Sequence, residues 1–254
     1  MTPVLLRLDR PALDPAAAAR LATGDAVGVM LPGDARSALP AVARQVRSEA
    51  AHAASGGVVG PPLIAVELDA WGAASAAPGF DLASHVAELA AGGEPLEVLL
   101  AAVATGRSLA EAGLNAVLGP DLSTCIGEPS TAIETAVGVL VEGLQAAGMA
   151  VGLRGLPLDV DATDSRWRLW GVAFAAGLDW LVVDGAAESL ASTLTILRED
   201  LGFDGLVVAS SSAAVPDDRI DVTLVDVETT VEQRPLIPPE VSRRVLAWRL
   251  DVLD

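Results

Sequence analysis

Eight short apolar runs, separated by longer segments rich in Ala, Leu, Arg and Glu, narrow the folds open to this chain more than any other feature. They fall at residues 4–8, 26–31, 63–68, 115–118, 149–153, 180–183, 206–209 and 222–225. A run of this length with little polar alternation reads as a strand buried on both faces, which is the condition of a parallel sheet covered by helices. The intervening segments have helical spacing at 15–22, 38–52, 82–91, 95–111, 131–147, 166–176 and 189–201, with a last one at 239–250. Eight βα units predict an α/β fold, a (β/α)8 TIM-type barrel forming a single domain over residues 1–254, with irregular geometry expected near its last βα units. The 254 residues, 52% of them apolar, are enough to bury one large core.

Punctuation residues agree with this division. Asp14-Pro15 reads as an N-cap followed by proline at the first helical position, Pro239 is placed to do the same, and Gly148 and Gly177 stand where helices stop. The Gly-, Ser- and Pro-rich stretch 53–62 reads as a connection inside the domain rather than a boundary.

The 16 basic and 34 acidic residues give a formal charge of −18, a field that repels nucleic acid and anionic membrane surfaces. Every basic residue is an arginine and tyrosine is absent, which reads as compositional bias or a salt-adapted surface. Cys125 is the sole cysteine, so no intrachain disulfide can form. Arg7 and Asp9 interrupt the N-terminus too early for a signal-peptide core, and Glu134, Glu142 and Gln145 break the longest apolar stretch. A cytoplasmic protein without direct membrane insertion is expected.

Acidic residues gather where the strands end: Asp9, Asp34, Glu67, Asp69, Asp121, Asp159, Asp184 and Asp226. In a barrel these ends share one mouth, where such a ring suits a cation or a polyhydroxyl ligand; loop and N-cap roles explain the same residues and are the favoured reading. No metal site and no cofactor is expected, since neither a GxGxxG nor a GxxxxGK[ST] pattern follows any strand. His52 and His85 fall on helices and read as surface residues, and Cys125 reads as a loop residue with no histidine placed to activate it. Trp167 and Trp170, three residues apart, share a helix face and are expected in the core. Val241, Val245, Trp248 and Val252 have the spacing of a closing helix.

The segments Leu63 to Asp69, Leu118 to Leu122, Ile126 to Ser130, Gly143 to Met149 and Leu197 to Val208, in that order, resemble glycoside hydrolase family 3, and in particular the compact single-domain bacterial β-N-acetylglucosaminidases that recycle cell-wall fragments. Leu63-Ile64-Ala65-Val66-Glu67-Leu68-Asp69 is similar to that family's LIAVDQEGG, Leu118-Gly119-Pro120-Asp121-Leu122 to its FAPVLD, and Ile126-Gly127-Glu128-Pro129-Ser130 to its IGERS. Gly143-Leu144-Gln145-Ala146-Ala147-Gly148-Met149 resembles GLQxAGV. The most specific stretch, Leu197-Arg198-Glu199-Asp200-Leu201-Gly202-Phe203-Asp204-Gly205-Leu206-Val207-Val208, resembles LRxELGFDGVV.

The resemblance implies a barrel, and it also implies that the chemistry has been replaced. The family's nucleophile is the first aspartate of an SDD run, and the matching position is Ser210. Its mobile loop KHFPGH with a following DSH supplies an aspartate-histidine acid/base pair; here the stretch reads Arg154-Gly155-Leu156-Pro157-Leu158-Asp159, then Asp164-Ser165-Arg166. Serine cannot replace a carboxylate that must attack an anomeric carbon, and arginine does not exchange protons near neutral pH. No catalytic residue is therefore expected, and Ser210, Gly155, Asp164 and Arg166 are degenerate positions. Glu67 and Arg154 keep the family's charge and, with Asp69, are the candidate ligand contacts. The expectation is a pseudoenzyme with a binding, regulatory or scaffolding role, acting on a protein partner or an amino-sugar ligand, with the oligomeric state open. The alternatives are a divergent β-N-acetylhexosaminidase acting on cell-wall sugars and a non-hydrolytic carbohydrate sensor.

Overall fold

The computed structural model describes residues 3–10, 12–32, 38–54, 60–68, 82–124, 130–158, 160–185, 187–210, 217–226, 245, 247–248 and 252–253. Eight parallel strands close into a barrel in chain order: β1 (Val4–Arg7), β2 (Ala26–Leu31), β3 (Leu63–Glu67), β4 (Ala116–Asp121), β5 (Ala150–Arg154), β6 (Trp180–Val183), β7 (Leu206–Ser210) and β8 (Val222–Asp226), with β8 pairing back onto β1. Each strand matches a predicted apolar run, and β2 and β6 have the expected bounds. Around them lie α1 (Pro15–Ala22), α2 (Leu39–Ala54), α3 (Leu82–Ala90), α4 (Pro95–Glu111), α5 (Thr131–Ala146), α6 (Trp167–Ala175) and α7 (Ala187–Thr195). The predicted α/β barrel is therefore the fold. Between β3 and β4 two helices, α3 and α4, take the place of one.

Caps explain where the helices begin and end. Asp14 accepts the Ala17 N–H at 2.7 Å with Pro15 at the first helical position, and Ser130 accepts the Ile133 N–H at 3.3 Å. After α5 and α6, at Gly148 and Gly177, the chain turns back so that Met149 N–H reaches Leu144 O and Leu178 N–H reaches Ala173 O. The predicted helix 189–201 differs from what is seen: α7 starts at Ala187 and passes into a π turn, Ile196–Asp200. That turn places the Arg198 guanidinium within reach of Phe203 O at 2.6 Å, Gly205 O at 2.9 Å and the Asp221 carboxylate at 2.8 Å.

Two apolar assemblies hold the barrel. One lies between sheet and outer helices and includes Trp167 and Trp170, both buried as expected. The other fills the barrel axis with Leu5, Met30, Ala65, Leu118, Trp180, Val208 and Leu224 among its members. Trp180 is the large occupant of that interior, and the strand beside it makes room. A Cβ at Gly152 would lie 2.3 Å from the indole ring. Val245, with Trp248 and Val252 packed near it, joins this interior assembly; Pro239 and most of the predicted closing helix 239–250 lie outside the described residues.

The end of the barrel where the strands start carries a repeated brace. Asn115 Oδ1 accepts Ile64 N–H at 2.7 Å, Asp179 Oδ2 accepts Val151 N–H at 2.8 Å, and Asp221 Oδ2 accepts Val207 N–H at 2.8 Å. Each acceptor immediately precedes an even-numbered strand and satisfies a backbone donor on the strand before it. Asp25 holds the equivalent place before β2. Asn115, predicted as the first residue of β4, is thus a side-chain brace, and β4 runs on to Asp121.

Candidate functional site

Inward and outward side chains alternate along a strand, so the last inward residue of each strand meets the others at the barrel mouth. Arg7, Glu67, Arg154, Ser210 and Asp226 are the terminal residues of β1, β3, β5, β7 and β8, and Asp121 ends β4. Arg7 Nη2 donates to Glu67 Oε2 at 3.0 Å, Arg154 Nη1 donates to Glu67 Oε1, and Arg154 Nε faces Asp121 Oδ2 at 3.4 Å. Two guanidinium groups and two carboxylates form one chain of charge across the mouth, with Glu67 only 12% exposed at its centre.

The candidate ligand contacts Glu67 and Arg154 are thus brought together, and they engage each other. Asp69 lies outside the described residues. Arg7 was not among the sequence candidates; the signal available was its place two residues after Leu5, which faces the barrel axis. A cavity of about 280 Å3 remains beside the network, lined by Arg7, Asp9, Met30, Pro32, Glu67 and Asp226 among others. Its walls come from β1, β2, β3 and β8. None of Ser210, Gly155, Asp164 and Arg166 contributes to it.

The four positions expected to be degenerate lie on other strands and loops. Ser210 ends β7, partly buried and opposite Leu224 of β8. Gly155 follows β5 with φ +89°, and a Cβ there would lie 2.2 Å from Asp121 Oδ1 and 2.4 Å from Ser123 N. Asp121 is fixed in that position by accepting both the backbone N–H and the hydroxyl of Ser123, at 2.9 and 2.6 Å. The site is closed to any side chain at 155, the family's histidine included.

Asp164 and Arg166 form a closed fork. Arg166 Nε donates to Oδ1 and Nη2 to Oδ2, both at 2.9 Å, and Arg166 N–H adds a third bond to Oδ1 at 2.9 Å. These bonds hold the Asp164 carboxyl down to about 2 and push the Arg166 guanidinium up, so neither group carries an exchangeable proton near neutral pH. Helix α6, predicted from 166, begins at Trp167, with Arg166 at its N-cap in helical backbone geometry and its side chain turned to Asp164.

Of the acidic ring, Asp9, Glu67, Asp121, Asp184 and Asp226 stand at or just after strand ends, and Asp34, Asp69 and Asp159 lie outside the described residues. Among the described residues no group of three or more His, Cys, Asp and Glu side chains is arranged to hold a metal. His52 is exposed on α2, 4.0 Å from Glu49, whereas His85 on α3, 3.6 Å from Glu88, is largely covered. Cys125 lies outside the described residues. No described helix is long and apolar enough to cross a membrane.

No protein-family model and no curated protein matches the sequence. Solved structures do match. A β-N-acetylhexosaminidase from Beutenbergia cavernae superposes with a TM-score of 0.67 at 19% identity, over 95% of this chain and 89% of that one. Native NagZ from Neisseria gonorrhoeae gives 0.66 at 15% identity, over 100% and 98%. A family 3 β-N-acetylglucosaminidase from a Paenibacillus strain gives 0.63 at 16% identity, over 98% of this chain and 56% of that one. The likeness is one of fold and runs nearly from end to end: the chain is built as a glycoside hydrolase family 3 β-N-acetylhexosaminidase barrel is built.

Proposed function

We propose that this protein is a glycosidase-like barrel that does not hydrolyse glycosides and acts by binding, in a regulatory or scaffolding role. The observation that carries this reading is the Asp164–Arg166 fork. A retaining mechanism needs an acid that can protonate the leaving oxygen and a carboxylate about 5 Å away to attack the sugar. The acid position holds a carboxylate at about 2 locked to a guanidinium, and the nucleophile position holds Ser210. Covalent catalysis and proton transfer are lost together, which leaves little rate enhancement to recover.

The test is turnover of 4-nitrophenyl N-acetyl-β-D-glucosaminide by the purified protein. No release above the uncatalysed rate is expected. Release that disappears in Glu67→Gln or Asp164→Asn would overturn the reading in favour of a divergent β-N-acetylhexosaminidase.

The mouth cavity supports a second reading, a sensor that binds an amino sugar without cleaving it. Glu67 and Arg154 keep the charges of sugar-contacting positions, and about 280 Å3 suits a single monosaccharide. Both Glu67 oxygens are already engaged by arginines, so a sugar must compete with an ion pair, which favours the scaffold. A saturable rise in melting temperature with N-acetylglucosamine, lost in Glu67→Gln, selects the sensor.

A further inference from the structure

Among the described large apolar side chains two are exposed, and they sit one turn apart on α4: Leu96 at 59% and Leu100 at 57%. The opposite face of α4 carries Val98, Ala102, Thr105, Gly106 and Leu109, all buried. There the helix lies close on α5, since a Cβ at Gly143 would stand 2.6 Å from the Ala102 methyl and one at Gly106 2.6 Å from the Ala147 methyl. The outer face is thus presented on a firmly seated helix.

At 3.6 residues per turn, Leu96, Leu100 and Arg107 fall within about 40° of one another around the axis, with Val103 and Ala104 beside them. The apolar stripe has two carboxylates at its N-terminal end, Glu94 and Glu97, and a guanidinium at its C-terminal end, Arg107, all exposed. A stripe with unlike charges at its two ends is complementary to itself when turned end for end. About a two-fold axis at Leu100, α4 meets a second copy antiparallel: Leu100 lies on Leu100, Leu96 on Val103 and Ala104, and Arg107 falls opposite Gly93. Helical side chains lean toward their own N-terminus, so Arg107 of one copy and Glu97 of the other lean toward each other. Glu111 passes beyond the start of the facing helix. Parallel pairing would instead set Glu97 against Glu97 and Arg107 against Arg107.

We propose that this face of α4 is the contact between two copies of the chain, paired antiparallel about a two-fold axis at Leu100. Because α4 leads into the start of β4, it runs against the strands, and the axis turns the two barrel mouths to opposite ends of the dimer. The inference goes beyond the proposed function and depends on neither turnover nor a ligand at the mouth. A strip about 25 Å long and one helix wide falls short of the roughly 800 Å2 per partner of a standard interface. Each copy also carries a formal charge of −18. The dimer is therefore weak and reversible, and it is favoured by salt that screens the net repulsion.

The experiment is sedimentation velocity of the full chain over about 1–500 μM in about 0.1 and 0.5 M sodium chloride. A monomer–dimer equilibrium is expected, half-associated at about 10–100 μM in the higher salt and weaker in the lower. Leu100→Glu should weaken it at least about tenfold, because the axis sets like charge on like charge. Ala51→Glu, which adds the same charge at an exposed position of α2, should leave it within about twofold. Arg107→Glu should weaken association several-fold, and Arg107→Glu combined with Glu97→Arg should recover it. Orientation is read by oxidative cross-linking in a Cys125→Ser background. Leu100→Cys should link to itself, Leu96→Cys should not, and a mixture of Leu96→Cys with Ala104→Cys should link. A monomer at every concentration, equal weakening by Leu100→Glu and Ala51→Glu, no recovery on exchanging the charges, or self-linking of Leu96→Cys would each overturn the proposal.

Discussion

At position 155 the backbone enters the left-handed region, φ +89°, with Asp121 and Ser123 pressed against the place where a Cβ would stand. Any L side chain there meets strain of about 1–3 kcal/mol from the backbone alone, before the contact with Asp121 is counted. Gly155→His is therefore expected to lower the melting temperature by several degrees and to gain no hydrolysis, as thermal unfolding and a glycosidase assay would show. Asp164 offers a second test at this scale. Its folded value of about 2 lies below the ordinary carboxylate range, so the fork favours folding above roughly pH 4 and loses that contribution as pH falls toward 2. A carboxyl-detected NMR titration should place its midpoint near 2, and Arg166→Ala, which keeps the backbone N–H bond, should raise it toward the ordinary carboxylate value. An unchanged midpoint would show that Arg166 is not the cause.

The elements are tied where the strands begin, and the strongest tie is ionic. Asp221 is fully buried, takes Arg198 Nη2 and Val207 N–H, and so joins the π turn, β7 and the start of β8. Removing one partner of a buried pair leaves the other charge without compensation, at a cost of about 3–5 kcal/mol. Asp221→Ala should lower the urea midpoint accordingly, while an equally buried Val222→Ala costs less. At Asp179 the sign is reversed. Its folded carboxyl is raised, so the folded state binds the proton more tightly and stability falls as pH rises above the ordinary carboxylate value. Asp179→Asn should be insensitive over that window, so the stability difference between variant and wild type, measured by urea unfolding from pH 4 to 7, should shift in the variant's favour. Arg198, Gly202, Phe203 and Gly205 belong to the stretch that most closely resembles the glycosidase family, and they serve this end of the barrel rather than the mouth. The strongest stretch of the resemblance is thus one that holds the barrel together at its base.

Across the whole molecule the charge of −18 opposes compactness, and added salt screens repulsion between exposed carboxylates. The melting temperature should rise between about 0.02 and 0.5 M sodium chloride; a fall would mean that the exposed arginine pairs outweigh the net repulsion. The architecture was legible because its signal is local. Apolar run length, helical spacing, Asp14-Pro15 and the stop glycines each act within a few residues, and each was found where expected. Ring and network at the mouth were legible only in part. The sequence showed acidic strand ends, but Arg7 entered the site because β1 and β3 flank β2 in the curved sheet, which brings its side chain to Glu67, 60 residues away. The same curvature makes the two candidate ligand contacts Glu67 and Arg154 partners of each other, 87 residues apart. Local backbone preference and side-chain chemistry were fixed by the order of residues; which charges meet and which carboxylates are buried depend on distances set only when the sheet closes.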